Sequence, residues 1–160
     1  MDYMKIALDE AKKAYNKGEV PVGAVIVRNG EIIAKGHNLK ETLNDVTAHA
    51  EINAIRNASE KINNWRLNGC EMYVTLEPCF MCAAAIAQSR LSKLYIGTFD
   101  ERMGGCGTID NIINRDDINN HVNVIWQYDE RCSNILREFF KLRRNGEKIN
   151  GAKYKTRNSW

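Results

Sequence analysis

Long apolar runs, prolines and histidines are all scarce in this sequence of 160 residues. No apolar run approaches the roughly 20 residues needed to span a bilayer, so we expect no membrane partner. The N-terminal stretch MDYMKIALDEAKKAY is charged throughout and lacks the apolar centre of a signal peptide, which predicts a cytoplasmic protein. The length suits one domain with a full core.

The cysteine count argues against a disulfide framework. There are five cysteines, an odd number, and thiols of a chain that is not exported stay reduced. A structural disulfide between Cys79 and Cys82 is therefore not expected.

Charge is distributed unevenly along the chain. Residues 141–160 hold seven Lys or Arg and one Glu, a charge of +6, so the first 140 residues carry −3 of the overall +3. A basic segment beside a mildly acidic body suits a polyanionic partner, but a solvated tail has the same composition. Charge alone leaves both interpretations open.

The hydrophobic pattern predicts a layered α/β domain, because strands alternate with helices after an N-terminal hairpin. The hairpin, VGAVIVRNGEIIAKGHN, turns at Asn29-Gly30, the dipeptide that best fits a type I′ turn. Thr47 is the predicted N-cap of the second helix. Loops 36–47 and 100–108 are expected to border a site. The predicted helices are 2–17, 47–59, 78–89 and about 129–144.

The stretch TLEPCFMC, residues 75–82, carries a C-x-x-C pair after a proline. Cys79 and Cys82 are three residues apart in the first turn of a predicted helix, so their sulfurs share one face. A helix N-terminus favours the thiolate, which both binds metal and attacks disulfides. The pair alone fits a redox switch, half of a structural zinc site, a catalytic zinc site or two small buried residues.

A histidine in TAHAE supplies the missing ligand type. His49 begins another predicted helix and Glu51 follows it by two residues. His49 with the cysteine pair gives three ligands, the number that leaves a catalytic zinc open to water, and a carboxylate near that water can move its protons. His49 and Glu51 are two residues apart and so do not share a helix face. Their side chains can reach one cleft only if the site wraps around the start of the helix. A fourth ligand would instead close the site as structural; the candidates are Cys70, Cys106, His37 and His121.

The combination H-A-E followed by P-C-x-x-C is typical of zinc nucleobase deaminases. The sequence resembles the cytidine deaminase superfamily and, more narrowly, bacterial tRNA-specific adenosine deaminases. The resemblance implies a three-layer α/β/α fold with a central mixed five-stranded sheet, a deaminase domain over residues 1–144 and a basic C-terminal tail over 145–160. The matching stretches are EVPVGAVIV, GHN, TAHAEINAIR, YVTLEPCFMCAAAI, GTFDERMGGCGT and EFFKLRR.

The resemblance also implies the chemistry. His49, Cys79 and Cys82 would hold one Zn²⁺ per subunit, and Glu51 would carry protons from water to the purine ring nitrogen and the leaving amine. The implied reaction converts adenosine to inosine at the wobble position (34) of a tRNA anticodon, expected to be that of an arginine tRNA.

The resemblance further assigns the base pocket. Asn38 would read the base, and Val20, Pro21 and Val22 would form an apolar wall beside it. Asp100 would contact the flanking RNA of an anticodon stem-loop, and the enzyme would act as a homodimer.

The last predicted helix contains EFFKLRR, which combines two aromatic rings with basic residues. Phe139 or Phe140 could stack on a nucleotide while Arg143 and Arg144 meet phosphates. The helical period equally fits both rings as core residues.

Three other functions fit part of the pattern. A deaminase of a free base or nucleoside, such as guanine or cytidine, needs the same zinc centre but not a basic aromatic helix. A zinc-stabilised RNA-binding module would bind metal and RNA without turnover. A thiol redox protein would use Cys79 and Cys82 without metal.

Overall fold

A computed structural model describes residues 1–147, so most of the predicted basic tail lies outside the described residues. No helix in the described part of the chain has the length and apolar character needed to cross a membrane. The helices are α1 (Tyr3–Asn16), α2 (Lys40–Leu43), α3 (Ala50–Ile62), α4 (Phe80–Gln88) and α5 (Glu130–Arg144). The strands are β1 (Gly23–Arg28), β2 (Glu31–His37), β3 (Cys70–Val74), β4 (Lys93–Ile96) and β5 (Asn123–Trp126).

The five strands form one mixed sheet in the order β2-β1-β3-β4-β5. β1 is antiparallel to both of its neighbours, whereas β3, β4 and β5 are parallel to one another. The prediction of a central mixed five-stranded sheet is confirmed, and so is the order of the predicted elements. The short helix α2 was not predicted.

The hairpin between β1 and β2 turns where the sequence predicts. Asn29 has a φ of 51° and Gly30 a φ of 79°, so both central residues are left-handed. A type I′ turn requires this combination, and its twist matches that of the paired strands. The local Asn-Gly signal therefore sets the pairing next to the turn, and a β-bulge between Ile26 and Val27 shifts the register of the remaining pairs by one residue.

Alternate residues of β1 face different helix layers. Ala24 and Ile26 belong to a core cluster with α3 and α4, whereas Val25 and Val27 pack with α1 and Cys132 of α5. Successive side chains of a strand point to opposite faces, so a central strand between two helix layers is apolar on both faces. The three-layer α/β/α arrangement is thereby confirmed.

The helices lie almost directly on the hairpin. A Cβ atom added to Gly36 of β2 would lie 2.5 Å from the Ala50 carbonyl oxygen and 2.6 Å from the Ala54 nitrogen, both in α3. A Cβ atom at Gly23 of β1 would lie 1.9 Å from the Ala7 carbonyl oxygen in α1. Glycine at position 36 therefore allows the first turn of α3 to pack this closely against the sheet.

Replacing Gly36 by alanine should destabilise the protein, because the new methyl group meets helix backbone rather than a movable side chain. Overpacking of this kind costs about 1–3 kcal/mol in the free energy of unfolding. Urea unfolding followed by circular dichroism measures this loss. Lys35→Ala, at an exposed neighbouring position of the same strand, is the matched control and should change stability little. Equal stability of both variants would show that α3 does not rest on Gly36.

Candidate metal centre and its cavity

Two helices begin at predicted metal ligands. His49 is the N-cap of α3 and Cys79 is the N-cap of α4; both have extended backbone angles, and neither side chain caps its own helix. The predicted N-cap, Thr47, is wrong: its hydroxyl donates to Asp45 Oδ1 at 2.7 Å and accepts from Arg56 Nη2 at 3.1 Å. Thr47 thus belongs to the preceding turn, and His49 is free to project away from its helix.

The three predicted ligands converge. The Nδ1 atom of His49 lies 3.7 Å from Cys79 Sγ and 3.6 Å from Cys82 Sγ, and the three atoms lie within 4.8 Å of one another. Tetrahedral zinc, with bonds of about 2.3 Å to sulfur and about 2.0 Å to nitrogen, separates such donors by about 3.5 Å. The spacing and the soft nitrogen and sulfur donors therefore fit zinc.

The electrostatics of the cluster also favour a cation. Hydrogen bonds from the Cys82 thiol and from His49 lower the pKa of Cys79 to about 4. The same contact with Cys79, together with burial, raises the pKa of Cys82. Hydrogen bonding to Cys79 raises the pKa of His49. A metal must displace the protons that remain on these ligands, so binding releases protons.

Glu51 lies beside the ligands in the first turn of α3. It is buried, and burial raises the pKa of its carboxyl group to about 7. Because His49 precedes the helix with an extended backbone, its side chain and that of Glu51 line the same cavity despite their spacing of two residues. The site therefore wraps around the start of α3, as is required for His49 and Glu51 to reach one cleft.

None of the alternative fourth ligands joins this cluster in the described residues. His37 Nδ1 contacts Glu10 Oε2 at 2.9 Å, and its Nε2 lies 3.1 Å from Lys17 Nζ. Cys70 and Cys106 are buried but are not part of the cluster, and His121 is exposed. The cluster therefore offers three protein ligands, the number found in catalytic rather than structural zinc sites.

A cavity of about 170 Å³ adjoins the ligands. Val20 and Val22 line it, as predicted for an apolar wall, while Pro21 is buried between them and is not among the lining residues. Asp100 also lines the cavity, and its Oδ1 accepts from the backbone N–H of Arg102 at 2.9 Å. The cavity thus brings together residues from the segment before β1, the two helix starts and the loop after β4.

Asn38 presents an unpaired polar atom in this cavity. Its Nδ2 group donates to the Val20 carbonyl oxygen at 3.4 Å, but its buried Oδ1 has no hydrogen-bond partner among the described residues. A buried acceptor without a partner costs about 1–3 kcal/mol. The atom is therefore suited to accept a hydrogen bond from a ligand.

Two buried acidic residues near the cavity were not predicted from the sequence. Glu77 and Glu19 are each 1% exposed; Glu77 accepts hydrogen bonds from the loop after β4, and Glu19 accepts them from α2. Glu77 comes between a buried strand and Pro78. A charge in such an apolar setting is the one sequence signal that could have revealed it, because acidic groups are rarely buried without partners.

The two phenylalanines of α5 occupy different environments. Phe139 is fully buried and packs edge-on against Tyr15 with ring centroids 6.0 Å apart, so it offers no free face to a nucleotide. Stacking on Phe139 is therefore contradicted in this structure. Phe140 is half-buried, and the Arg102 guanidinium lies 5.6 Å from its ring centroid. Arg143 and Arg144 are exposed, and their contact with RNA stays a prediction.

Comparison with known proteins agrees with this geometry. The profile of the cytidine and deoxycytidylate deaminase zinc-binding region matches residues 1–98. A tRNA-specific adenosine deaminase of Aquifex aeolicus is 49% identical over 145 residues, which cover 89% of this chain and 95% of that protein.

Solved structures show the same fold. One, from a study of A-to-I editing by tRNA:A34 deaminases at the wobble position, is 43% identical with a TM-score of 0.73 and covers 78% of this chain and 95% of that one. A guanine deaminase from Bacillus subtilis is 33% identical with a TM-score of 0.60, over 95% of this chain and 96% of that one.

The three-ligand set predicts one zinc ion per chain, measurable by inductively coupled plasma mass spectrometry on the purified protein. Cys79→Ser and Cys82→Ser should each bind far less zinc, because a hydroxyl is a poor substitute for a thiolate ligand. Cys132→Ser changes a buried thiol outside the cluster and is the matched control. Equal zinc content in all three variants would contradict the assignment.

Proposed function

This chain belongs to the family of bacterial tRNA-specific adenosine deaminases, within the cytidine and deoxycytidylate deaminases, and we propose that its substrate is the wobble adenosine (34) of an arginine tRNA anticodon. Family membership supports a zinc-dependent hydrolase that replaces the amino group of adenosine by oxygen to give inosine and ammonia. The observation that carries the proposal is that His49, Cys79, Glu51 and Asn38 line one small cavity, with Cys82 completing the ligand cluster of His49 and Cys79.

The metal site provides the nucleophile. Zinc bound by His49, Cys79 and Cys82 would lower the pKa of a coordinated water to about 7 and so make it reactive at neutral pH. The fit of zinc rests on the donor spacing of the three ligands.

Glu51 moves the protons. Its carboxylate is buried at the cavity beside the ligands and is not one of the three atoms that form the metal cluster. From this position it can take one proton from the attacking water and deliver it to the purine ring nitrogen. It can then carry the proton left on the attacking oxygen to the amine, which departs as ammonia. Burial keeps bulk water from competing for these transfers.

The rest of the cavity holds the base. Val20 and Val22 provide apolar contact, and the unpaired Oδ1 of Asn38 can accept a hydrogen bond from an N–H group of the purine. A volume of about 170 Å³ is below the range of about 300–1,000 Å³ usual for drug-sized ligands. The cavity is therefore suited to one nucleotide turned out of its stack.

RNA is favoured over a free base by the surface beside the cavity. Phe140 exposes part of its ring near Arg102, and basic residues continue along the same helix: Lys141, Arg143 and Arg144. An aromatic ring among cations suits stacking with a splayed base and contact with phosphates. A free base requires none of these groups. The homodimer implied by the family resemblance stays a prediction.

The proposal predicts the behaviour of the Glu51→Gln variant. It should keep its zinc but lose at least about 100-fold in kcat, because general acid–base catalysis contributes about 10²–10⁴-fold. The assay incubates the protein with an arginine-tRNA anticodon stem-loop bearing adenosine at position 34 and detects inosine by mass after digestion. Glu60→Gln, at an exposed carboxylate of the same helix, is the control and should remain active.

Other outcomes separate the rival functions. Turnover of free guanine or cytidine with none of the stem-loop would favour the alternative deaminase, for which the similarity to a guanine deaminase is the supporting observation. Stem-loop binding and full zinc without turnover would indicate an RNA-binding module. Unchanged activity in Glu51→Gln would refute the role of Glu51.

A further inference from the structure

Glu77 is a second buried carboxylate at the cavity, and no step of the proposed reaction uses it. It lies between the end of β3 and the ligand Cys79, lines the cavity and is 1% exposed. Burying an ionised carboxylate is costly unless it is paired or hydrogen-bonded. The groups that compensate it therefore indicate what it does.

All four hydrogen bonds to the Glu77 carboxylate come from the loop after β4. Its Oε1 atom accepts from the Asp100 backbone N–H at 3.1 Å and from the Thr108 hydroxyl. Its Oε2 atom accepts from the backbone N–H groups of Cys106 at 3.0 Å and Thr108 at 3.2 Å. A single side chain thus holds both ends of the loop 100–108.

The backbone around Glu77 ties the same loop to the turn that carries Cys79. The Glu77 N–H donates to the Thr98 carbonyl at 2.8 Å, and the Gly105 N–H donates to the Pro78 carbonyl at 2.8 Å. A Cβ atom at Gly104 would lie 2.5 Å from Glu77 Oε2, so the loop can approach the carboxylate only with glycine there. The metal-binding turn and the loop are consequently one packed unit.

These contacts exclude a proton-transfer role for Glu77. A carboxylate offers about four lone-pair sites, and four donors already point at it. A carboxylate whose lone pairs are already occupied by donors has no site free to take a proton from substrate or water.

We infer that Glu77 is a positioning residue: it fixes the loop 100–108 so that Asp100, whose backbone N–H it binds, is set at the cavity to contact the nucleotide next to the reacting base. Asp100 lines the cavity, and its own Oδ1 is oriented by the Arg102 N–H. The inference rests on the proposed function, since it assigns Glu77 to recognition of flanking RNA rather than to chemistry.

The Glu77→Gln variant tests it, because the new amide N–H₂ cannot accept the hydrogen bonds that one oxygen now receives. We expect amide hydrogen exchange at Asp100, Cys106 and Thr108 to be at least about tenfold faster, since hydrogen bonds to charged groups are among the stronger ones. Zinc content and kcat should change less than about threefold, whereas KM for the stem-loop should rise about tenfold.

A double-mutant comparison shows whether the effect passes through Asp100. Asp100→Ala should raise KM by itself, and adding Glu77→Gln should raise it little further. Glu19→Gln is the matched control: Glu19 is equally buried, but it accepts from the N–H groups of Glu41 and Thr42 and from the Thr42 hydroxyl, all in the short helix α2. The changes in KM caused by Glu19→Gln and by Asp100→Ala should multiply in the double variant, as expected for independent residues.

Three results would overturn the inference: a loss of kcat at unchanged KM in Glu77→Gln, a loss of zinc, or independent effects of Glu77→Gln and Asp100→Ala. If Glu77→Gln does not fold, Thr108→Val can replace it, because this change removes one donor to the carboxylate. Thr108→Val should raise KM by itself and raise it little further when Asp100→Ala is already present. Wild-type protein that makes no inosine would instead refute the proposed function, and amide exchange would still test the contact itself.

Discussion

The structure depends on the meeting of two helix starts. α3 and α4 begin side by side, and their N-cap residues, His49 and Cys79, bring Nδ1 and Sγ to 3.7 Å. The N-terminus of a helix favours negative charge, so each helix stabilises the thiolates and any carboxylate placed there. The contact of Gly36 with α3, the parallel pairing of β3 with β4 and the short turn after β3 all serve to place these two starts at one edge of the sheet.

Polar groups buried around this point divide into two kinds. The carboxylates of Glu19 and Glu77 accept three and four hydrogen bonds, and they hold α2 and the loop 100–108 beside the cavity. Asn38 Oδ1 has no hydrogen-bond partner within residues 1–147, and burial raises the pKa of Glu51 towards neutrality. The first two carboxylates hold the structure around the cavity, while Asn38 and Glu51 line the cavity and can act on a ligand. The residues proposed to act on the ligand, Asn38 and Glu51, are thus buried polar groups whose burial costs free energy of folding.

Sequence reasoning found the features that depend on local pattern. The Asn29-Gly30 turn, the three ligands and the alternation of strands and helices all follow from spacing along the chain. Sequence reasoning was wrong or incomplete where a side chain's environment depends on contacts outside its own helix or strand. Thr47 looks like an N-cap, but its hydroxyl bonds with Asp45 and Arg56 instead. Phe139 and Phe140 are adjacent in the same stretch, so the sequence does not distinguish them. In the structure Phe139 is buried and packs against Tyr15, whereas Phe140 is half-buried. Glu77 acts on residues more than 20 positions away, which no local pattern reveals.

The central claim is that His49, Cys79 and Cys82 alone hold the metal and leave one position for water. X-ray absorption at the zinc edge of the purified protein tests it most directly. We expect two sulfur neighbours at about 2.3 Å and two nitrogen or oxygen neighbours at about 2.0–2.2 Å, one from the histidine and one from water. Three or four sulfur neighbours would mean that another cysteine closes the site, and the centre would then be structural rather than catalytic.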